Sequence, residues 1–317
     1  MTIESICILE ADRPTGVATI KAIFETGSEK SSQKARVTAG VSPNSSEEVR
    51  EELNKIGAKV FVIDDPNNVT FNDVAKLQII LSPERLDAAQ LYINSAVKHR
   101  VPFVLLQSVI NADERDDYFG KKFGEIENQL KEYAVKECHP VEGGPEVQRE
   151  AHIHRHWSIL RIGFYDHYLL SFKDCIRKGV LDLPIGSGEF APVSVEDVGK
   201  ASAHILDKSE NFYNKTNTIT GSELFDGNKL AERLTQTLHH NLSYKPSEDI
   251  EHIKDDHIKK YIQSPLESEA TFHLISLIKE DKLKFVSPNF IEIEKFKQKT
   301  VEQFFLEHKE EFLGKQE

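Results

Sequence analysis

Between Ile6 and Ser108 the chain alternates short, unbroken apolar runs with amphipathic stretches. The apolar runs cover residues 6–9, 35–41, 59–63, 77–81 and 101–108, and helical periodicity fills 17–26, 47–56, 87–100 and 120–135. A strand that is apolar at successive positions has both faces buried. With a helix between each pair of strands, the pattern predicts a parallel sheet covered on both sides, an α/β fold. In the helix over 47–56, Val49, Leu53 and Ile56 share a face and Gly57 follows as its stop. In such sheets ligands lie at the carboxyl ends of the strands. The residues predicted there are Glu10 to Gly16, Val41 and Ser42, Asp64 and Asp65, Ser82 and Pro83, and Gln107 and Ser108.

The first strand leads through Glu10, Ala11, Asp12, Arg13, Pro14 and Thr15 to Gly16, and then into a helix. Strand, turn and helix is the setting of the Gly-rich phosphate turn in Rossmann proteins. There the first glycine permits the bend, the second admits the pyrophosphate, and the third lets helix and strand pack. Gly16 takes the third place, while Glu10 and Arg13 stand in the other two. A carboxylate about 4 Å from a phosphate costs roughly 1 kcal/mol in water and about 4 at an effective dielectric near 20. Arg13 offsets part of this if it meets a phosphate oxygen. Without a ligand, the segment also reads as a capped helix start, with Asp12 as cap and Pro14 in the first turn.

The chain has 317 residues and a net charge of -12, with no apolar run long enough to span a membrane as a helix. That charge argues against a direct nucleic-acid surface and against anionic membranes. Cys7, Cys138 and Cys175 are scattered, and no signal-peptide pattern opens the chain. Together these predict a cytoplasmic or nucleocytoplasmic location. Cys7 falls in the first strand and reads as a small core residue.

After residue 135 the pattern loosens. Residues 137–150 read as a loop, 157–163 as a strand, and 166 onward as mainly helical, broken by a Gly- and Pro-rich stretch over 181–192. This divides the chain into a Rossmann-like domain over 1–165 and a smaller domain over 166–317, with residues 184–200 returning to the first. The stretch 290–313 reads as a charged helix docked by Phe296, Phe304, Phe305 and Phe312.

Several segments together resemble the NmrA-like branch of the atypical short-chain dehydrogenase/reductases. Val101 to Val109 is similar to that family's fifth strand. Ile159, Leu160, Arg161, Ile162, Gly163, Phe164 and Tyr165 resemble its ILRPGFF strand, with Ile162 in place of the proline. Leu183 to Gly188, followed by Val193 to Gly199, resembles its Pro/Gly loop and V-x-D helix start. Thr218 to Gly221 resembles the strand before a later helix, and Lys299 to Phe305 resembles the last helix. The resemblance implies a Rossmann sheet that binds NADP or NAD. It also implies one of two kinds of protein, either a reductase of quinones or small aromatics or a non-catalytic redox-sensing regulator.

The resemblance places Asp12, Arg13, Thr15, Gly16, Asp64, Ser82 and Ser108 around a dinucleotide, with Asp64 near the adenine or serving as a turn residue. The family's NADP-selecting arginine has no counterpart at Val41, Ser42 and Pro43. Tyr118 and Lys122 match the Y-x-x-x-K spacing of a proton donor and its lysine, one helical turn apart. Aligned on Glu125 to Glu127, however, the family lysine falls on Phe123. His152, His154 and His156 alternate near Cys138 and His139, but their spacing matches no structural-zinc pattern, so they read as histidines on an exposed edge rather than a metal site, with a pH-sensitive loop as the alternative. The altered turn, the missing cation and the displaced lysine favour a non-catalytic NmrA-like regulator. Such a protein would have weak or no dinucleotide binding and a protein partner, such as a transcriptional regulator. The alternative is an NAD(P)H-dependent reductase with a remodelled phosphate loop.

Overall fold

A computed structural model describes residues 4–26, 36–114, 117–134, 155–246, 264–288 and 297–314. The chain forms two compact units, one of residues 1–161 and 199–217, the other of 162–198 and 218–317.

The first unit carries strands β1 (Ser5–Leu9), β2 (Arg36–Val41), β3 (Lys59–Val62), β4 (Lys76–Ile80) and β5 (Phe103–Val109), with helices α1 (Pro14–Thr26), α2 (Glu47–Ile56), α3 (Leu86–Lys98) and α4 (Tyr118–Lys131) between them. Strand β6 (His156–Ile162) follows. Then come α5 (Lys173–Arg177), β7 (Val180–Leu181), α6 (Val195–Asp207) and β8 (Lys215–Ile219). The seven-stranded sheet has the order β3-β2-β1-β4-β5-β6-β8. The pairings of β1 with β2 and β4, of β2 with β3, and of β4 with β5 are parallel. The strand order reverses between β1 and β4, which is where such sheets open a crevice for ligands. The α/β expectation is met, and its cause is visible. Ile6, Ile8, Leu9, Leu77, Ile79, Val104, Leu105 and Leu106 are all buried, although β1, β4 and β5 point alternate residues to opposite faces.

Helix α2 shows how closely local chemistry sets a boundary. Ser46 caps it by accepting from the Val49 N–H at 3.3 Å, and Gly57 ends it at φ 115. Only glycine adopts such a φ without strain.

Two of the three cuts between the units fall inside strands, after Arg161 in β6 and after Asn217 in β8, and the third falls inside α6, after Val198. Residues 184–198 group with the second unit, and 199–217 with the first. Within the second unit lie α7 (Gly227–Leu238), β9 (Ser243–Tyr244), α8 (Pro265–Lys279), α9 (Val301–Glu307) and α10 (Lys309–Leu313). A two-stranded parallel sheet pairs β7 with β9, an element that the helical reading of this region did not anticipate. Among the described residues, 297–313 form two short helices rather than one. Thr300 and Gln303 form a capping box at the start of α9, and the chain is non-helical at His308. Phe304, Phe305 and Phe312 are buried as expected, with Phe305 and Phe312 edge to face at 5.4 Å. Phe290 and Phe296 lie outside the described residues. Among the described residues, no helix is long and apolar enough to cross a membrane.

Candidate functional site

The turn between β1 and α1 keeps the backbone of a glycine turn without its first two glycines. Glu10 sits at φ 56, a left-handed conformation that a glycine adopts freely. The Ala11 N–H donates to the Gly40 carbonyl at the end of β2 (2.9 Å), and the Arg13 N–H to the Glu10 carbonyl (3.0 Å). Gly16 fills the packing role expected of it. A Cβ there would lie 2.7 Å from the Ala11 Cα and 2.8 Å from its carbonyl oxygen. Pro14 opens α1, where its missing N–H is no loss. The Gly16 and Val17 N–H groups both reach the Arg13 carbonyl (2.9 and 3.0 Å). Thr15, at the second helical position, therefore carries an amide with no intrahelical acceptor.

The side chains of the turn go elsewhere than their sequence suggests. Glu10 is 3% exposed and turns toward α3 and the loop before it. Its Oε1 lies 3.3 Å from the Arg85 Nε and accepts from the Tyr92 hydroxyl at 3.3 Å. Burial pushes its carboxyl up to about 7, with Arg85 pulling it back only in part. Arg13 pairs with Glu84 on that same loop. Asp12 does not cap α1. Its Oδ2 accepts instead from the Ser42 N–H just past β2, at 3.3 Å. The Thr15 hydroxyl donates to Gln107 (3.0 Å), whose amide donates to Ser202 on α6 (2.8 Å). This closed chain of buried groups fixes the helix start against β5.

At the carboxyl ends of the strands several buried polar atoms lack hydrogen-bond partners. They are Asp12 Oδ1 in the turn, Ser45 Oγ and Arg50 Nε after β2, Ser82 Oγ after β4 and Ser108 Oγ on β5. Buried polar atoms are nearly always paired, so a rim of exceptions calls for a ligand or ordered water. Ser82 and Ser108 fall where the sequence placed them. Asp64 does not join them, being exposed at the end of β3, and the turn aspartate there is Asp65, which accepts from the Asn67 N–H at 2.9 Å. Arg50 was missed. The place after β2 holds no cation in sequence, yet Arg50 reaches back from α2 to donate to the Pro43 carbonyl at 2.8 Å. Its position one turn past the Ser46 cap was the available signal.

Tyr118 and Lys122 lie one turn apart at the start of α4, which Asp117 caps. Tyr118 is 64% exposed, and Lys122 pairs with Glu125 at 3.0 Å, which holds its ammonium above the usual lysine range. Phe123, the position aligned with the family lysine, is a core residue. Helix α4 is fixed from beneath. Both oxygens of the fully buried Glu127 accept from Arg161 on β6, from Nε at 3.0 Å and Nη2 at 2.6 Å, while Asp113 meets Nη1 at 2.7 Å. Cys7 is a core thiol, pushed up to about 12 by burial. His156 stacks on Tyr213 at 3.7 Å, while Cys138, His139, His152 and His154 lie outside the described residues. Among the described residues no group of metal-ligating side chains forms.

No protein-family profile and no curated protein matches the chain. Solved structures do. An NADPH-dependent quinone oxidoreductase from Escherichia coli, solved with NADPH, is 19% identical, with a TM-score of 0.73 over 96% of this chain and 99% of that one. Triphenylmethane reductase of Citrobacter sp., complexed with NADP(H), is 15% identical, with a TM-score of 0.72 over 96% and 99%. Leucoanthocyanidin reductase of Vitis vinifera, with NADPH, is 12% identical, with a TM-score of 0.69 over the same shares. The expectation of a non-catalytic regulator is corrected by these findings, since these three proteins, which share the fold over nearly their whole length, are reductases solved with NADPH or NADP(H). The physical reason is that the replaced glycines do not ruin the turn. Glu10 keeps the left-handed backbone, and its carboxylate is held by Arg85 and Tyr92. At these identities the likeness establishes architecture alone: the chain shares the Rossmann-like fold of these proteins.

Proposed function

We propose that the chain is an NAD(P)H-dependent reductase acting on a quinone or a small aromatic substrate. The observation that carries this reading is the rim of unpartnered buried polar atoms around an intact β1–α1 turn. The residues fit a dinucleotide. The Thr15 amide and the Arg13 guanidinium would hold the pyrophosphate, Asp12 and Ser45 would meet ribose hydroxyls, and Ser82 and Ser108 would line the path toward the nicotinamide. When bound, the nicotinamide supplies a hydride. The reductases that share this fold support the same reading.

Calorimetry with NADPH and NADH, followed by quinone turnover, tests the proposal. Micromolar binding with turnover is the expected result. No heat at about millimolar cofactor would sink it.

Arg50 supplies the cation for a 2′-phosphate, and its unpartnered Nε is the donor in reserve. Arg50→Ala is therefore expected to weaken NADPH binding by about 10- to 100-fold and to leave NADH within about twofold, the scale of one charged hydrogen bond. Equal losses for both cofactors would remove Arg50 from 2′-phosphate selection.

Proton delivery falls to Tyr118, with Lys122 held cationic beside it by Glu125. At 64% exposure Tyr118 competes with bulk water as donor. Tyr118→Phe is accordingly expected to lower kcat by about tenfold, below the range typical of enclosed acid catalysts, with KM for cofactor unchanged. An unchanged kcat would assign the proton to solvent alone.

A further inference from the structure

Two carboxylate–guanidinium pairs of opposite sense join the β1–α1 turn to the loop after β4. Glu10 of the turn meets Arg85 of the loop, and Arg13 of the turn meets Glu84 of the loop. Each cation thus lies where the turn meets the end of β4, and each is neutralised by an internal carboxylate. The pairs are unequal. Glu84 keeps 22% of its side chain exposed, whereas the Glu10 side chain keeps 3%.

The charged and titratable groups around Glu10 are few. Arg85 and Tyr92 face it from the loop and α3, and Asp12 and Arg13 from its own turn. Arg85 is shared, because its Nη2 also donates to the Tyr92 hydroxyl at 3.0 Å. A pyrophosphate arriving at this turn brings negative charge to cations that already serve carboxylates. Like charges in one partly buried site favour protonation of the weaker acid. Glu84 can swing into water, but Glu10 cannot. Glu10 already holds its proton more firmly than an ordinary glutamate, because burial disfavours its charged form.

Building on the reductase reading, we propose that Arg13 and Arg85 form a phosphate clamp in place of the two missing glycines. Dinucleotide binding then places one solvent proton on the Glu10 carboxylate. The step balances simply. One proton leaves solvent and becomes the hydroxyl proton of a carboxylic acid, Arg85 exchanges that carboxylate for a phosphate oxygen, and no bond of the cofactor changes.

The sign of the linkage follows. Below about pH 7 Glu10 is already protonated in the free protein, so affinity is highest and flat. Above that, binding must take up the proton, and affinity falls by up to about tenfold per pH unit until Glu10 ionises in the complex too.

The test is calorimetry of the full chain with NADH, whose phosphates do not titrate in this range, in two buffers of different ionisation enthalpy. Binding about tenfold weaker at about pH 8 than at about pH 6, with close to one proton taken up at the higher pH, is the expected result. Glu10→Gln should bind tightly at both values with no proton uptake, and Arg85→Gln should be weakened at both. Equal affinity at both pH values without proton uptake in the wild-type chain would overturn the proposal and leave the reductase reading standing. Absence of binding in both the wild-type chain and Glu10→Gln, at about millimolar NADH and NADPH alike, would overturn the two together.

Discussion

Arg161→Ala is expected to lower the unfolding free energy by about 3–5 kcal/mol, the cost of leaving a buried charge without its partner. Glu127 has no exposed surface, and both of its carboxylate oxygens are occupied by Arg161. The forked geometry is one that only a guanidinium supplies, so Arg161→Lys should recover little. With Arg161 gone, Glu127 keeps only Lys131 at 3.8 Å, a side chain 35% exposed. Asp113, which the guanidinium holds below the usual carboxylate range, would return toward it. Urea unfolding reads the loss as a lower midpoint at unchanged slope. A double replacement by Met and Leu should regain most of the stability, because it removes both charges. A loss below about 1 kcal/mol in Arg161→Ala would mean that water reaches Glu127 and that the pair does not pin α4 to β6.

Gly16→Ala is expected to be nearly as damaging, by about 3 kcal/mol, although it adds one methyl group. The added carbon would meet the Ala11 Cα at 2.7 Å, its carbonyl oxygen at 2.8 Å and its carbonyl carbon at 2.9 Å. These are backbone atoms in a turn tied to β2 by the Ala11 N–H, so no side chain can move aside. Relief would require α1 to lift from β1, which also displaces the Thr15 amide. The variant should therefore lose cofactor affinity together with stability. Glu10→Gly makes the useful contrast. It relieves a left-handed residue, roughly 1–2 kcal/mol of backbone strain, and gives up the contacts to Arg85 and Tyr92. Its net effect on stability should be small. A stable Gly16→Ala protein with full cofactor binding would show that the turn has slack.

What could be read from the sequence depended on how local its cause was. Helix α2 and its glycine stop were legible because a 3.6-residue period and a left-handed φ are properties of neighbouring residues. Gly16 was legible because its role is purely steric. The apolar runs of β1, β4 and β5 declared a sheet buried on both faces for the same reason. The partners of Glu10 and Arg13 were not legible, because they depend on β1 and β4 lying side by side and on the loop that leaves β4. Asp12 illustrates the same limit. It has the chemistry of a helix cap, yet the end of β2 presents the Ser42 N–H to it. Arg50, the cation proposed for a 2′-phosphate, escaped notice because a cation was sought in the loop, whereas Arg50 reaches back from the helix beyond. The single C-terminal helix failed for local reasons that were overlooked, since Thr300 and Gln303 mark a helix start at α9 as a capping box, and the chain leaves the helix again at His308.

The buried chain from Thr15 through Gln107 to Ser202 has a consequence for how the protein is made. Ser202 emerges from the ribosome long after the turn that it helps to fix, and so does Leu206, whose carbonyl accepts from the buried Lys76 ammonium at 2.6 Å. Between them and β6, residues 162–198 of the other unit must be synthesised first. Until α6 arrives, the nascent first unit keeps Lys76, Gln107 and the start of α1 without their final partners. A ribosome-bound chain halted near residue 165 should therefore remain open to protease at that face, and one halted beyond about 250 should not. The β1–α1 turn is among the earliest segments to be synthesised and among the last to be locked.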